Sequence, residues 1–319
     1  MKKYNRVLLA MLAGSLSTST IVSAEDSWVN VYGKIFLTLD KVDEDNGDDQ
    51  WELNSNASRI GVKGKGAAGN LEAFYQLEWE VDLTDNSGSS ADHLKARNQI
   101  VGLRGDFGEV FAGRHDTPMK KAQQKIDLFN DTAFDIKSLL NGEVRASGIV
   151  QYSTPKVSGF KGMLAFVPGE ETGVNDGIAD GISTGFDFKA GDVAMTFAYD
   201  DGIEGDAVET IRLGASYKLD NMQFGLIYQD TDVDGASGDA IVASASLKSD
   251  KSTFKLQYVD SDIWSTGVSS KVKYENQLVL GWDYKIASAT TFVSYFGMSE
   301  EGATGDDDST FGVGVIQKF

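Results

Sequence analysis

Histidine is the side chain most often recruited to move protons near neutral pH, and this sequence holds two, His93 and His115. Asp116 follows His115, so this is the place where a hydrolytic centre would be sought. Such a centre needs a positioned nucleophile or activated water. No G-x-S-x-G, no H-E-x-x-H and no glycine-rich phosphate loop after a strand is present. Two S-x-x-K matches, Ser158 to Lys161 and Ser252 to Lys255, lack their companion motifs and read as coincidence. The run "DEDNGDDQWE", Asp43 to Glu52, has the composition of a calcium loop without EF-hand spacing. Acidic tips of this kind are still suited to loosely held divalent cations. The chain has no cysteine, which excludes disulfides, thiolate metal sites and a cysteine nucleophile. The expectation is a protein without catalytic residues, bound metal or cofactor.

Charge narrows the partners. Met1 to Ala24 has a basic head (Lys2, Lys3, Arg6), an apolar run and Val22-Ser23-Ala24, the small residues of a signal peptidase site. Residues 1–24 are therefore expected to be a signal peptide and 25–319 the folded domain. Removing the three positive charges of the leader takes the formal net charge from −19 to −22. So acidic a chain is poorly suited to nucleic acid or bare anionic lipid.

The elements that would position any functional side chain are strands. In "WVNVYGKIFLTL" the residues Val29, Val31, Ile35, Leu37 and Leu39 share one parity, and Asn30, Lys34 and Thr38 share the other. "NLEAFYQLEWEV" sets Leu71, Ala73, Tyr75, Leu77, Trp79 and Val81 against Glu72, Gln76, Glu78 and Glu80. Similar segments recur at Ile211–Leu219, Met222–Gln229, Thr253–Tyr258 and Gln277–Lys285. The final stretch, Ser309 to Phe319, alternates too and ends on a bare aromatic. Its apolar parity is expected to face lipid while its backbone pairs with the first strand around Val29 to Leu39, removing free edges.

Short turns such as Leu219–Asn221 and Lys248–Ser252 alternate with long acidic connections at Asp40–Glu52, Asp82–His93, Pro168–Gly181, Asp200–Asp206, Gln229–Asp239 and Ser299–Asp308. The two ends of the strand bundle thus differ chemically. No run of 18 or more apolar residues follows the leader, which excludes a membrane-spanning helix but not a barrel. At about 37 residues per pair of spanning strands with their turns, 295 residues make about 16 strands, a size that encloses a water-filled channel. The fold class expected is an all-β transmembrane antiparallel barrel of about 16 strands. A soluble sandwich or propeller is the competing class, and the blade-length repeat of a propeller is absent. Trp79, Tyr217, Tyr228, Tyr258, Trp282 and Tyr284 suit an interfacial aromatic girdle.

One segment breaks the alternation: His115 to Glu143, "HDTPMKKAQQKIDLFNDTAFDIKSLLNGE". It carries Ile126, Leu128, Phe129, Phe134, Ile136, Leu139 and Leu140, which need a surface to pack against, and the inner wall of a barrel provides one. A short helix over "MKKAQQKIDLF", followed by an irregular strip folded into the lumen, is expected. A lid over the mouth is the alternative.

The sequence resembles the trimeric general diffusion porins of Gram-negative outer membranes. The resemblance rests on "NVYGKI", "ASRIGVKG" (Ala57–Gly64), "GLRGDFGEVFAGRHDTP" (Gly102–Pro118), "DLFNDTAFD", "VRASGIVQYSTPKVSGFKG" (Val144–Gly162) and the terminal aromatic. It implies that the third long loop folds inward across from a basic wall. Lys34, Arg59, Arg114 and Arg145 would make that wall, and Asp127 and Asp131 would face it. Lys34 and Arg59 also lie on the polar parity of their strands, and Lys63 shares the face of Arg59. The loop departs from more acidic members by carrying Lys120, Lys121, Lys125 and Lys137. Charges of opposite sign on facing walls order water and favour polar solutes.

The function implied is passive diffusion of small hydrophilic solutes and ions across the outer membrane, with weak cation preference from the acidic loops. The partners implied are two further copies of the chain in a homotrimer, outer-membrane lipid and lipopolysaccharide, and the assembly machinery that reads the terminal Phe319. A substrate-selective porin is the nearest alternative, followed by a barrel protease or phospholipase centred on His115 and by an adhesive barrel with a plugged lumen.

Overall fold

Alternation governs every spanning segment of the computed structural model, which describes residues 28–319 apart from 46, 48, 85–93 and 170–176. The expected signal peptide, Met1 to Ala24, and His93 lie outside the described residues. Among the described residues seventeen strands form one antiparallel sheet. They are β1 (Asn30–Glu44), β2 (Gln50–Ser55), β3 (Arg59–Ala68), β4 (Leu71–Val81), β5 (Leu94–Gly105), β6 (Gly108–Asp116), β7 (Arg145–Ser153), β8 (Phe160–Val167), β9 (Gly181–Ala190), β10 (Val193–Asp201), β11 (Val208–Leu219), β12 (Met222–Val233), β13 (Ala236–Ser249), β14 (Ser252–Ser261), β15 (Tyr274–Lys285), β16 (Thr290–Glu301) and β17 (Asp307–Lys318).

β2 and β3 are two halves of one stave, since β1 pairs with β2 through Leu37–Val42 and with β3 through Asn30–Lys34. The break is a kink at Ala57, whose φ is 49°. There the Ser58 hydroxyl accepts from Phe36 N at 2.9 Å in place of a ladder bond. The result is a closed barrel of 16 staves.

Closure falls where the terminal strand predicts it. β17 pairs with β1 from Lys34↔Lys318 to Glu44↔Asp308, and Phe319 continues the ladder by exchanging bonds with Gly33 at 2.9 and 3.2 Å. A Cβ on Gly33 would sit 2.2 Å from the Phe319 ring, so only glycine lets the terminal aromatic lie flat on the seam.

Burial runs opposite to that of a soluble sheet. Leu226 and Leu280 are 52% and 56% exposed, while Gln229, Gln257 and Gln277 on the other parity are wholly buried. Apolar side chains outside and polar ones inside is the arrangement of a barrel whose outer face meets lipid. Tyr217, Tyr228, Tyr258, Trp282 and Tyr284 all project outward and are exposed.

Tight turns close one end of the barrel, as at Asp220-Asn221 and Asp250-Lys251. At the other end the connections are shorter than the sequence suggests. Gln229–Asp239 is a hairpin extension that turns at Asp234 (φ 54°) and Gly235 (φ 87°), a pair suited to the two-residue turns that match strand twist. Strand also takes up both ends of Asp40–Glu52 and of Ser299–Asp308. An apolar inward contribution comes from 262–273, unmarked by periodicity, where Ile263 and Val272 are buried beside the long loop.

Candidate functional site

Residues 117–144, between β6 and β7, fold into the lumen. Entry is set by Thr117, whose hydroxyl accepts from Lys120 N at 3.1 Å, and by Pro118 at the first helical position. The helix α1 (Pro118–Lys121) is shorter than "MKKAQQKIDLF" suggests, because Gln124 takes a φ of 49° and turns the chain.

The rest of the loop is docked on one side of the wall. Ile126, Ile136, Leu139 and Leu140 pack on Ile227, Val242 and Val259 of β12, β13 and β14. These are the places where the inward parity turns apolar. Phe129 and Phe134 pack on Val279 and Tyr295, and the Phe134 and Tyr295 rings meet edge-on at 5.8 Å. The wall is notched to receive them: a Cβ on Gly281 or Gly297 would lie 2.6 Å from the ring of Phe129 or Phe134. Each such buried side chain contributes about 1.5–3 kcal/mol.

A polar clasp holds both ends of the loop. Arg212 of β11 is fully buried and donates to Gln229 Oε1 (2.8 Å), Met119 O (3.2 Å), Glu143 Oε1 (2.7 Å) and Asn141 O (2.8 Å). Asn141 in turn donates to Thr210 Oγ1 at 2.8 Å and accepts from Thr231 at 2.6 Å.

Docking on β11 to β16 turns the loop's tip toward β1 and β3. Lys34 Nζ lies 2.7 Å from Asp131 Oδ2, and Arg59 lies 3.5 Å from the same oxygen. Burial acts to raise the Asp131 carboxyl, but Lys34, Arg59 and Arg97 together hold it below the usual carboxylate range. Asp131 itself sits at a φ of 67°. Its N–H donates to Asp135 Oδ2 at 3.0 Å, which fixes the turn. Arg145 pairs with Asp116 at 2.9 Å and donates to Asn98 at 2.7 Å. A polar cavity of about 940 Å³ lies above this contact, with Arg59, Arg97 and Arg145 on the wall side and Asn130, Asp131 and Asp135 on the loop side.

Three of the expected residues lie elsewhere. Asp127 is buried beneath the loop, where its Oδ1 accepts from Phe129 N at 3.0 Å. Burial first, then neighbouring Asp135, push its carboxyl up to about 8. It shapes the loop and does not face the opening. Arg114 falls between Gly113 and His115 on the outward parity of Ala112, where it donates to Ala96 O and to Ser147 Oγ. Lys63 lies over the ring of Tyr32 at 4.9 Å, away from Asp131. His115 stacks tilted on Phe111 at 4.9 Å, its Nδ1 3.0 Å from Asp116 O.

Arg97 of β5 is a wall residue that periodicity alone does not reveal, because a bulge opposite Glu78 shifts its register. It donates to Glu78 at 2.9 Å and Glu80 at 2.7 Å. A signal was available: two carboxylates on the inward parity of β4 need a cation across from them.

Two predictions follow from these placements. Arg97→Ala strips Glu78 and Glu80 of their partner and is expected to shift reversal potential toward cations, whereas Arg114→Ala leaves single-channel conductance and selectivity unchanged. Asp127→Asn is expected to stabilise the barrel against heat. A raised carboxyl holds its proton more tightly folded than unfolded, so Asp127 costs nothing below the unfolded value near 4. The advantage of asparagine grows above that by at most about 1.4 kcal/mol per pH unit and levels off past about 8. Melting curves of both proteins across pH 4 to 9 check the sign.

Known proteins share this architecture. The anion-selective porin from Comamonas acidovorans superposes with a TM-score of 0.79 over 92% of this chain and 100% of its own, at 21% identity. The major outer membrane protein P.IA of Neisseria meningitidis serogroup A / serotype 4A is 34% identical over 125 residues, 38% of this chain and 31% of that protein. Outer membrane porin protein 32 of Delftia acidovorans is 28% identical over 195 residues, 56% of this chain and 53% of that protein. The alignments thus span about a third to a half of these two relatives. The model of one family runs over residues 8–315, nearly the whole chain, and agrees with the closed barrel and its inward loop: the chain belongs to the Gram-negative porin family.

Proposed function

We propose that the protein is a passive diffusion channel for small hydrophilic solutes and ions across the outer membrane, working as a homotrimer. The observation that carries this reading is the distribution of the inward loop. It covers the apolar patch of the lumen on β11 to β16 and leaves open the charged side, where Lys34, Arg59, Arg97 and Arg145 face Asp131. Cations and anions on opposite walls of a narrow aqueous passage favour solutes that are polar, while apolar solutes lose hydration without compensation. The long-loop end is outside and the short-turn end periplasmic, in keeping with barrels of this kind.

A catalytic reading has less support, since His115 has an aromatic ring and a backbone carbonyl for neighbours. The terminal Phe319, laid on Gly33 at the seam, is proposed as the residue read during assembly. Acidic residues at the outer mouth are proposed to favour cations weakly and to meet lipopolysaccharide through divalent ions. Liposomes containing the protein are expected to swell in uncharged sugars at rates that fall steeply with sugar size. Liposomes that stay impermeable to the smallest sugar would overturn the reading. Chemical cross-linking of the protein in membranes is expected to stop at three copies.

A further inference from the structure

Five inward-facing lysines recur at one level of the barrel. Lys189, Lys218, Lys248, Lys285 and Lys318 are each the last or next-to-last residue of β9, β11, β13, β15 and β17, the strands that descend to the short turns. The register puts them inside. Lys318 pairs with Lys34 across the seam, Lys285 follows inward Asp283 by two, and Lys248 follows inward Ser244 by four. Each is held at that level by its own backbone, whose N–H donates to a carbonyl of an adjacent turn: Gly159, Asp192, Asn221, Lys251 and Ala289 respectively, at 2.8 to 3.0 Å.

Neighbouring strands lie about 4.8 Å apart, so lysines on alternate strands stand roughly 10 Å from one another around the rim. That is about the screening length at 0.1 M salt, so their potentials merge below that ionic strength and separate above it. Among the described residues none of the five is in an ion pair, unlike Lys34 and Lys255, which meet Asp131 and Asp283. Between this rim and the underside of the inward loop lies a cavity of about 670 Å³. Lys189 and Lys218 line it, and Lys125 of the loop and Lys161 of β8 add to them against Asp187 and Asp192. The Thr196 hydroxyl donates to Asp187 at 3.0 Å and orients it, and the lysines lining the cavity outnumber its two carboxylates. The mouth with the long loops is acidic, so the two ends of the passage carry opposite fixed charge.

We propose that this lysine rim is a binding site for small multivalent anions at the periplasmic mouth. The proposal rests on the channel reading for its sidedness, but not for binding itself. An anion with two or three charges spans two or more lysines at once, gains from their merged potential, and stands in the path of the current. A monovalent anion meets one lysine at a time and passes.

Citrate is the probe. Added to the short-turn side of a planar bilayer at 50 mM salt, it is expected to reduce single-channel current, with little effect from the long-loop side. The side is identified by labelling Ser288→Cys, an exposed turn position in a chain without cysteines. The variant Lys189→Gln/Lys218→Gln/Lys248→Gln is expected to bind citrate about tenfold more weakly. The triple arginine variant retains binding, because charge and not lysine chemistry is required. Titration calorimetry of the detergent-solubilised protein measures the same affinity without any current. A protein that binds citrate but conducts nothing would sink the channel reading and leave the site. A conducting protein with equal block from both sides, or unaltered citrate affinity in a correctly folded glutamine variant, would overturn the site.

Discussion

Arg212→Met should loosen the inward loop more than any other single change. The guanidinium is fully buried and makes bonds to Met119, Asn141 and Glu143 that fasten both ends of the loop to β11. Methionine keeps the volume and removes the charge, which leaves Glu143 buried without its partner. Breaking one side of such a pair costs about 3–5 kcal/mol. Burial already raises the Glu143 carboxyl, and Arg212 is the strongest influence lowering it. The expected result is a lower melting temperature together with larger, noisier single-channel currents as the loop leaves the wall. Adding Glu143→Gln removes the orphaned charge and should restore most of the stability without restoring the four bonds. Heat denaturation and conductance measured on the same preparations separate the two effects. An Arg212→Met protein with wild-type melting and wild-type current would show that the apolar docking alone holds the loop.

The second large effect is on ion preference. Asp131→Asn removes the one carboxylate that the loop's tip sets against Lys34 and Arg59. In a water-filled passage a unit charge about 4 Å from a passing ion is worth about 1 kcal/mol, which corresponds to about a fivefold change in permeability ratio. The shift is toward anions, because the basic wall then loses the carboxylate that lies against Lys34 and Arg59. Reversal potentials across a salt gradient give the ratio directly. The pH dependence carries its own sign. Because Asp131 is held below the ordinary carboxylate range, its pairing is intact above the unfolded value near 4 and is lost only as pH falls through the lower, folded one. The part of the selectivity that Asp131 contributes, read as the difference between wild type and Asp131→Asn, should therefore hold as pH drops through the ordinary carboxylate range and vanish below it.

The strands were legible because a spanning strand advertises its two faces: lipid-facing Leu278 and Leu280 alternate with buried Gln277 and Val279. The seam was legible for the same reason, since Phe311 and Val315 keep the outward parity to the end. Lys34 could be placed from its neighbours, and the parity that Arg114 shares with Ala112 points it outward, against what the resemblance implies. Arg97 could not be placed: opposite Leu77 to Trp79 its strand steps three residues, from Gln99 to Ala96, so periodicity fails there. Asp127 and Asp131 look alike in sequence and differ by fold. One accepts from its own loop two residues on, and the other crosses the lumen. The clasp at Arg212 was hidden because an arginine on an inward parity reads as solvated until the loop that covers it is in place. The lysine rim is written plainly in "FDFKA", "ASYKL", "ASLKS", "WDYKI" and "VIQKF". It emerges only when the strand ends are aligned at one height.

An open, charged passage beside a docked loop has to conduct ions. Single-channel recording of the refolded protein in planar bilayers tests this most directly. Discrete, stable current steps that rise in proportion to salt concentration at high ionic strength are predicted. A protein whose heat-modifiable mobility shows a folded barrel, yet which yields no steps, would contradict it.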